Sequence, residues 1–403
     1  MTALERRASA SLAAIFALRM LGLFLVLPVF ALEAARYPGG DDTARVGLAM
    51  GIYGLTQAVL QIPLGMASDR WGRKRVIVAG LALFALGSAV AAWAPTLDWL
   101  IAGRALQGAG AISAAVTAFL ADLTRDEVRT KGMAIIGASI AVMFALSLVL
   151  APVLAAAIGL GGLFAVTGGL ALAGIAVVVW VVPPEAIAPQ RVSRGGLGEV
   201  LRHPGLLRLD LGVFVLHAVQ LAMWIALPAL LVQAGLSKDR HWQVYLPAVV
   251  AAFLVMGGLL FRLERRGYLR QVFLFSIGLV LAVQVALWFA VAAAPSLPVL
   301  GVLLFLFFLG FNALEASQPS LASRLAPAHA CGAALGVYNT LQSVGFFVGG
   351  ALGGWLERHQ GPQGLFLVCG SASLLWLLLA WPMRTPAPQG PQRVGAPGSA
   401  ALS

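Results

Sequence analysis

Stretches of about 20 mostly apolar residues recur about twelve times along this chain of 403 residues. A helix of that length spans the hydrocarbon core of a bilayer and satisfies its own backbone hydrogen bonds there. An outer-membrane barrel would need short segments of alternating polarity instead. The pattern predicts an all-α polytopic membrane protein of about twelve transmembrane helices. The windows are 10–32, 46–66, 75–94, 97–121, 132–154, 162–183, 206–232, 242–261, 271–292, 297–320, 331–352 and 362–381.

Composition supports a membrane location, because 60% of the residues are hydrophobic and only 11% are charged. A soluble domain has roughly a quarter of its residues charged. The first window is too long for the apolar region of a signal peptide, and it contains Arg19. Cys331 and Cys369 are the two cysteines, and their positions indicate neither a disulfide framework nor a metal site.

The net charge of +11 could suggest a nucleic-acid partner, but its distribution argues against one. Lys and Arg concentrate in the loops on one side of the predicted membrane, as the positive-inside rule requires. The loops on the other side carry only Arg36, Arg45, Lys238, Arg240 and Arg358. The sequence therefore predicts an inner-membrane protein with cytoplasmic N- and C-termini and no nucleic-acid partner.

A Pro- and Arg-containing connection divides the windows six and six. The predicted units are an N-terminal six-helix bundle (1–183), a cytoplasmic linker (184–205), a C-terminal six-helix bundle (206–383) and a disordered cytoplasmic tail (384–403). The loop from Asp69 to Arg75 repeats its acid, base and glycine 195 positions later, from Glu264 to Arg270. Two pseudo-symmetric bundles with a substrate site between them are typical of secondary transporters.

Two motifs carry a resemblance to a known family. The pattern G-x-x-x-D-R-x-G-R-K occupies Gly65, Asp69, Arg70, Gly72, Arg73 and Lys74, and R-x-x-Q-G-x-G-A begins at Arg104. The first motif resembles the signature of the major facilitator superfamily, and the second resembles its drug:proton antiporter branch. Stretches such as LRMLGLFLVLPVF and FNALEASQPS are similar to YajR-type bacterial inner-membrane transporters. The resemblance implies the MFS fold, alternating access, a monomer in the lipid bilayer, no cofactor, and a proton gradient as the energy source.

The first motif is a candidate gate at the cytoplasmic face. Asp69 can pair with a neighbouring cation, and the resemblance also implies that Asp122 is a partner of Arg73. An alternative is that these arginines only anchor the topology. One departure weakens the antiporter assignment, because the family's G-P-x-x-G-G run in helix five is here Ala151-Pro152-Val153-Leu154-Ala155-Ala156.

Four ionisable residues stand out inside predicted spans, where a charge is expensive and is usually functional. They are Arg19, Arg104, His217 and Glu315, in the first, fourth, seventh and tenth windows. The resemblance implies that these helices line the central cavity. A buried carboxyl and a histidine can both titrate near neutral pH, so Glu315 and His217 are the candidate proton carriers. Arg104 is a candidate fixed cation that either tunes a carboxylate or helps to stabilise the gate in helix four.

Polar and aromatic side chains repeat at helical spacing in the same spans. His217, Gln220 and Trp224 follow one face, and similar stripes occur in the second, tenth and eleventh windows. Polar stripes can instead be hydrogen-bonding contacts between helices. The candidate substrate-binding residues are Arg19, Tyr53, Gln57, Gln107, Gln220, Trp224, Asn312, Tyr338 and Gln342.

These features predict proton-driven export of a small, partly hydrophobic molecule. A symporter, importer or uniporter of a metabolite is the alternative, and a membrane enzyme or a sensor without transport is a remote one. The sequence contains neither a P-loop of the G-x-x-x-x-G-K-[ST] type nor an H-E-x-x-H or G-x-S-x-G motif. The chain is therefore expected not to be an enzyme.

Overall fold

The computed structural model describes residues 1–185, 197–260, 262–263, 266–293, 295–327 and 330–383, and only the backbone of 126, 127, 129, 130, 134 and 260. Within these ranges the regular structure is helical. The helices are α1 (Ala3–Val26), α2 (Phe30–Ala34), α3 (Thr43–Trp71), α4 (Arg73–Ala92), α5 (Leu97–Ala109), α6 (Ser113–Leu123), α7 (Asp126–Ala176), α8 (Leu197–Val200), α9 (Pro204–Gln233), α10 (Trp242–Val255), α11 (Leu269–Ala292), α12 (Leu297–Leu325) and α13 (Cys331–Ala380). Wider π turns continue α7 and α10.

Ten of the described helical segments are long and apolar enough to span a membrane. Two of them, α7 and α13, contain 51 and 50 residues, which is about 75 Å of helix and far more than a bilayer core needs. Each is interrupted by a glycine, Gly159 or Gly361, with φ of +67°. Such a left-handed residue ends one helix and lets another begin. The four separate windows predicted in these segments therefore form two helical hairpins.

Contacts with α1 establish the reversal in α7. The Thr167 hydroxyl donates to the carbonyl of Gly22 at 3.0 Å, near the end of α1. Near the start of α1, Arg7 Nε donates to the carbonyl of Val181 at 3.0 Å. The second arm of α7 thus runs antiparallel to α1. With both hairpins counted, the ten segments make the twelve crossings that the sequence predicts.

The repeated loops have the same backbone conformation. Gly72 has φ of +96° and Gly267, 195 positions later, has φ of +92°. Glu264 and Arg265, the acid and base of the second loop, lie outside the described residues. A positive φ at the equivalent position supports the predicted relationship between the two halves.

A cation after each of these glycines caps the last helix of its own bundle. Lys74 Nζ donates to the carbonyl of Val182 at 2.7 Å, and Arg270 Nε donates to the carbonyl of Met383 at 3.0 Å. Carbonyl groups at a helix C-terminus have no partner within the helix, so a cation there stabilises them. We call the end of the molecule that carries Gly72 and Gly267 the motif end.

The two bundles meet closely in the half of the molecule away from the motif end. There the backbones of α3 and α13 approach at Gly47 and Gly350, at Gly51 and Phe347, and at Gly54 and Ser343. Small residues allow membrane helices to come this close. Four hydrogen bonds between described residues join the two bundles, and all of them lie in this half. They are Lys238–Glu33, Arg358–Asp42, Thr43–Gly354 and Gln57–Ser343. We call this end, which carries Asp42 and Arg358, the latch end.

The same helices separate toward the motif end. Gly336 lies seven residues before Ser343 and so on the same face of α13. A Cβ atom placed on Gly336 would meet no heavy atom within 4 Å. The bundles are therefore in contact at the latch end and apart at Gly336, and we call the gap between them the cleft.

Two predicted units fall mainly outside the described residues. Positions 186–196 of the predicted linker and the whole predicted tail, 384–403, belong there. The described end of the linker contains the one-turn helix α8, which the sequence analysis does not predict.

Candidate functional site

Arg19 forms a polar cluster within the N-terminal bundle. Its Nη1 donates to the hydroxyl of Ser113 at 3.1 Å, and its Nη2 donates to the hydroxyl of Tyr53 at 2.7 Å and to Gln57 Oε1 at 3.3 Å. The guanidinium also lies 5.8 Å from the ring centroid of Phe84. All of these partners are neutral. A buried cation without a carboxylate partner retains attraction for an anionic group.

Arg104 and Gln107 pack inside the same bundle. Arg104 donates to Gln107 Oε1 at 2.9 Å and to the carbonyl of Met50 at 3.3 Å, and it stacks over Tyr53 at 5.0 Å. Gln107 in turn donates to the hydroxyl of Ser88 at 2.8 Å. These bonds tie α5 to α3 and α4. In this conformation both residues therefore bond within the N-terminal bundle, whereas Glu315 and His217 lie in the C-terminal bundle.

Glu315, His217 and Gln342 form the corresponding cluster in the C-terminal bundle. His217 Nε2 lies 3.2 Å from Glu315 Oε2. The Gln342 amide nitrogen lies 3.2 Å from Glu315 Oε1 and 2.8 Å from His217 Nε2. His217 is 2% exposed while the side chain of Glu315 is 40% exposed. A buried imidazole therefore contacts a carboxylate that reaches solvent.

Hydrogen-bond partners assign the tautomer of His217. Nδ1 lies 2.9 Å from the carbonyl of Val213, which can only accept, so Nδ1 carries a hydrogen. With the Gln342 amide nitrogen as its donor, Nε2 accepts, and the ring is neutral. A proton added to Nε2 would repel that amide and would bond to Glu315 instead. Protonation therefore requires the Gln342 amide to turn.

The remaining candidate substrate-binding residues are mostly buried. Trp224 packs edge-to-face on Tyr245 at 5.4 Å between ring centroids, which makes it a core residue in this conformation. Gln220, Asn312 and Tyr338 are also buried. The Asn312 amide nitrogen and the Tyr338 hydroxyl have no hydrogen-bond partner. Of the predicted residues, Gln57, Glu315 and Gln342 are only partly buried.

Asp210 is a buried ionisable residue that the sequence analysis misses. It lies in α9, is 6% exposed, and its Oδ2 has no hydrogen-bond partner. Asp210 precedes His217 by seven residues, so the two share a face of the helix. The signal was available, because an acidic residue stands inside the apolar window 206–232.

The gating motif is organised around Arg73. Its Nη1 lies 2.5 Å from Asp69, and its Nε donates to Asp122 Oδ2 at 2.9 Å. The predicted contact with Asp122 is thus present. The motif is not a loop as predicted, because Asp69 and Arg70 belong to the last turn of α3 and only Gly72 separates α3 from α4. Gly65 lies in α3, about one turn before Asp69. It packs against α6, since a Cβ added at Gly65 would lie 3.3 Å from Ala114.

Glu185 caps the helix that follows the motif, a role the sequence analysis did not identify. Its carboxylate accepts from the backbone N–H of Arg73 at 3.2 Å and of Lys74 at 2.6 Å. These are free donors at the N-terminus of α4, where a negative charge is stabilising. A Cβ on Gly72 would approach the same carboxylate to 3.0 Å. The acid therefore links the motif to the end of the first bundle.

Two ion pairs close the latch end across the bundles. Glu33 pairs with Lys238, and Asp42 pairs with Arg358. Burial acts to raise the pKa of Asp42. Hydrogen bonds from Arg358 and from the backbone N–H groups of Arg45 and Ala44 outweigh it, so the pKa lies below its ordinary value. Asp42 is thus ionised at neutral pH.

Comparison with known proteins identifies relatives over the whole chain. The sequence profile of the Major Facilitator Superfamily matches residues 12–350 and 265–402. The inner membrane transport protein YajR of Escherichia coli is 43% identical over 100% of this chain and 89% of its own length. The multidrug resistance protein MdtH of Aeromonas salmonicida is 28% identical over 89% of this chain and 91% of its own length.

A solved structure supports the fold. The human organic anion transporter MFSD10 (TETRAN) matches with a TM-score of 0.69 over 94% of this chain and 100% of that chain, at 18% identity. These relatives are transporters, which confirms the predictions of an all-α polytopic fold and of a protein that is not an enzyme.

Proposed function

Because this chain belongs to the Major Facilitator Superfamily, we propose that it exports a small, partly hydrophobic molecule across the inner membrane in exchange for protons. The relatives support multi-pass membrane transport. The proposal adds three properties to this: coupling to protons, transport in the direction of export, and a small, partly hydrophobic cargo. The chain is expected to act as a monomer that alternates between two cleft openings.

The observation that carries the proposal is the contact of Glu315 with His217 and Gln342. The side chain of Glu315 is 40% exposed, whereas that of His217 is buried. A proton taken up here changes which groups donate, so Gln342 must rearrange. Gln342 lies on α13, the same helix that packs against α3 across the bundles. Protonation at Glu315 can therefore bias the contact that opens and closes the cleft.

The positive-inside pattern makes the motif end cytoplasmic. In that orientation the structure is inward-facing, with the latch pairs sealing the outer end. Cargo would enter from the cytoplasm between the bundles. The ion pairs of Arg73 with Asp69 and Asp122 are already formed in this state, within the N-terminal bundle.

The two bundles carry opposite charges beside their interface, which bears on the cargo, although Arg19 and Phe84 are buried in this conformation. Arg19 on the N-terminal side has only neutral partners, and Glu315 on the C-terminal side is partly exposed. Phe84 lies beside Arg19. These groups suit an amphipathic molecule with an aromatic part and an acidic group. MFSD10, an organic anion transporter, is consistent with such a cargo, and MdtH is consistent with export.

Transport in proteoliposomes with a pH-sensitive dye tests the proposal. Lipophilic cations, aromatic acids and metabolites are screened for uptake and for accompanying proton movement. We expect proton flux opposite to compound flux in the native protein and loss of proton-driven accumulation in Glu315→Gln. Asp239→Asn, which changes an exposed carboxylate at the latch end, is the matched control and should transport normally.

Other outcomes would contradict the proposal in different ways. Proton and compound flux in the same direction would indicate a symporter. Compound movement without proton flux would indicate a uniporter, and Glu315 would then bind cargo or stabilise the bundle. An unchanged pH dependence in Glu315→Gln would remove Glu315 from the coupling site.

A further inference from the structure

We propose that Asp210 is a second proton-binding carboxyl, connected to Glu315 through Tyr338 along a buried polar column in the C-terminal bundle. The inference deepens the proposed function and rests on it only for its link to transport. Binding of a proton at Asp210 can be measured separately.

Asp210 is the starting point because it is nearly inaccessible and unpaired. It is 6% exposed, Oδ2 has no hydrogen-bond partner, and no ion pair within the described part of the chain includes it. An isolated ionised carboxylate in a low-dielectric interior is very costly, and in practice such a group takes up a proton. Burial without a partner therefore favours uptake of a proton by Asp210.

Helical spacing arranges the column. Gln318 lies one turn from Glu315 on α12, and Tyr338 lies one turn from Gln342 on α13. Asp210 lies two turns from His217 on α9, about 10 Å along the helix. On α9, Asp210 lies closer to the motif end than His217 does, because Gly212 contacts Trp376 near the C-terminus of α13. The column thus extends from the Glu315 cluster toward the motif end.

Tyr338 connects the two carboxyl groups. Its phenol lies within the electrostatic range of both Glu315 and Asp210. The side chain is 2% exposed, and its hydroxyl has no hydrogen-bond partner. A hydroxyl can accept on one side while it donates on the other. Tyr338 therefore has the chemistry to pass a proton between the acids, and because its hydroxyl bonds to neither of them in this conformation, bound water would bridge it to each.

The surrounding layer contains further unpaired donors and acceptors. Both polar atoms of the Gln318 amide and the Trp376 indole N–H lack partners, although both residues are buried. A Cβ on Gly212 would lie 2.8 Å from Trp376 Nε1 and 3.1 Å from Gln318 Oε1, so these groups converge at this glycine. Buried unpaired polar groups of both kinds are the setting in which bound water bridges side chains. Such a layer supports proton movement.

The transfer is balanced. One O–H bond breaks at Glu315 and one forms at Asp210, while Tyr338 gives up its hydroxyl hydrogen on one side and receives another. The negative charge moves from Asp210 to Glu315, and no oxidant or co-reactant takes part. The titratable groups that face Asp210 are Tyr338 of α13, Glu315 of α12 beyond it, and His217 on its own helix. Glu33 and Lys238, on elements that also pack on α9, lie at the latch end.

A metal cation is a poorer occupant than a proton. The side-chain oxygens available are those of Asp210, Tyr338 and Gln318. Hard cations such as Ca²⁺ and Mg²⁺ take about six or more oxygen ligands. A single proton satisfies the carboxylate without that number of ligands.

Infrared titration of the purified full chain in lipid nanodiscs tests the proposal. Among the titrating carboxylic-acid bands, we expect one to be absent in Asp210→Asn and another to be absent in Glu315→Gln. Because coupled groups titrate together, Asp210→Asn should also move the Glu315 midpoint by about one pH unit. Tyr338→Phe should keep both bands and abolish their mutual shift.

Each contrary result overturns a specific step. If Asp210→Asn loses no titrating band, Asp210 does not bind a proton. If Tyr338→Phe leaves the mutual shift intact, Tyr338 does not connect the acids. If sodium chloride abolishes the Asp210 band and potassium chloride does not, the site binds a metal cation. Asp239→Asn should match the native protein throughout. These readouts involve no cargo, so they stand even if the transport assay refutes antiport.

Discussion

At the scale of single residues, the two bundles use opposite strategies for a buried charge. Arg19 keeps its charge and surrounds it with the neutral oxygens of Ser113, Tyr53 and Gln57. Glu315 instead contacts a histidine and an amide whose bonding depends on protonation. A fixed cation suits recognition of an anionic group, and a titrating cluster suits energy coupling. The division predicts that mutations should separate binding from coupling.

Arg19→Lys tests this separation. A lysine keeps the charge but cannot reach three partners with the geometry of a guanidinium. Losing charge-assisted hydrogen bonds costs about 1.5–3 kcal/mol each, so we expect the KM for an anionic cargo to rise about tenfold or more. The midpoint of the pH dependence should not move. Transport kinetics at several pH values measure both quantities, and a displaced midpoint would mean that Arg19 also belongs to the coupling site.

At the scale of helices, the close approach of α3 and α13 decides how tightly the latch end shuts. Glycines on both helices let the backbones come together, so any side chain there acts as a wedge. A Cβ on Gly350 would lie 2.6 Å from Gly47 O and 2.6 Å from Gly51 Cα. Both obstacles are backbone atoms and cannot rotate away. The helices would have to separate.

Gly350→Ala is expected to open the latch end and to lower stability by about 1–3 kcal/mol, the typical cost of overpacking. The matched control is Gly336→Ala on the same face of α13, where the added methyl group meets open space. Spin labels on the exposed residues Asp41 and His359 report the separation, and thermal unfolding reports the stability. Equal behaviour of the two variants would show that the helix contact does not control closure.

At the scale of the whole molecule, the orientation of the two bundles reflects a balance of weak terms. The latch pairs are partly exposed, and pairs of this kind contribute about 0–1 kcal/mol each. Because the pKa of Asp42 is lowered, the stability that its ion pair adds to the closed latch end is fully present at pH values above the ordinary carboxyl pKa. This stability is lost only as the pH falls through the lowered pKa of Asp42. Around neutral pH the Asp42–Arg358 pair therefore does not respond to protons.

Asp42→Asn and Lys238→Met together should shift the equilibrium toward an open latch end by up to about thirtyfold, since two pairs contribute at most about 2 kcal/mol. The shift should be equal at mildly acidic and mildly alkaline pH, because the proton-sensitive group is elsewhere. Glu315→Gln should leave the latch pairs formed and should abolish the pH dependence of the equilibrium. The same spin-label distances, measured across pH, distinguish these outcomes. A pH response that disappears with the latch pairs would place proton sensing at the latch end.

The sequence by itself determined the fold class, the twelve crossings and the family, because lipid requires long apolar helices and the motif residues are local in the chain. Hydrophobic spacing also located Arg19, His217 and Glu315 correctly within helices. The sequence pattern did not predict which distant segments contact each other. Only the tertiary structure decided that Arg104 pairs with Gln107, that Glu185 caps α4, and that Asp210 shares a buried column with Tyr338. Burial and partners depend on how helices pack, and no local pattern encodes which face of one helix meets another.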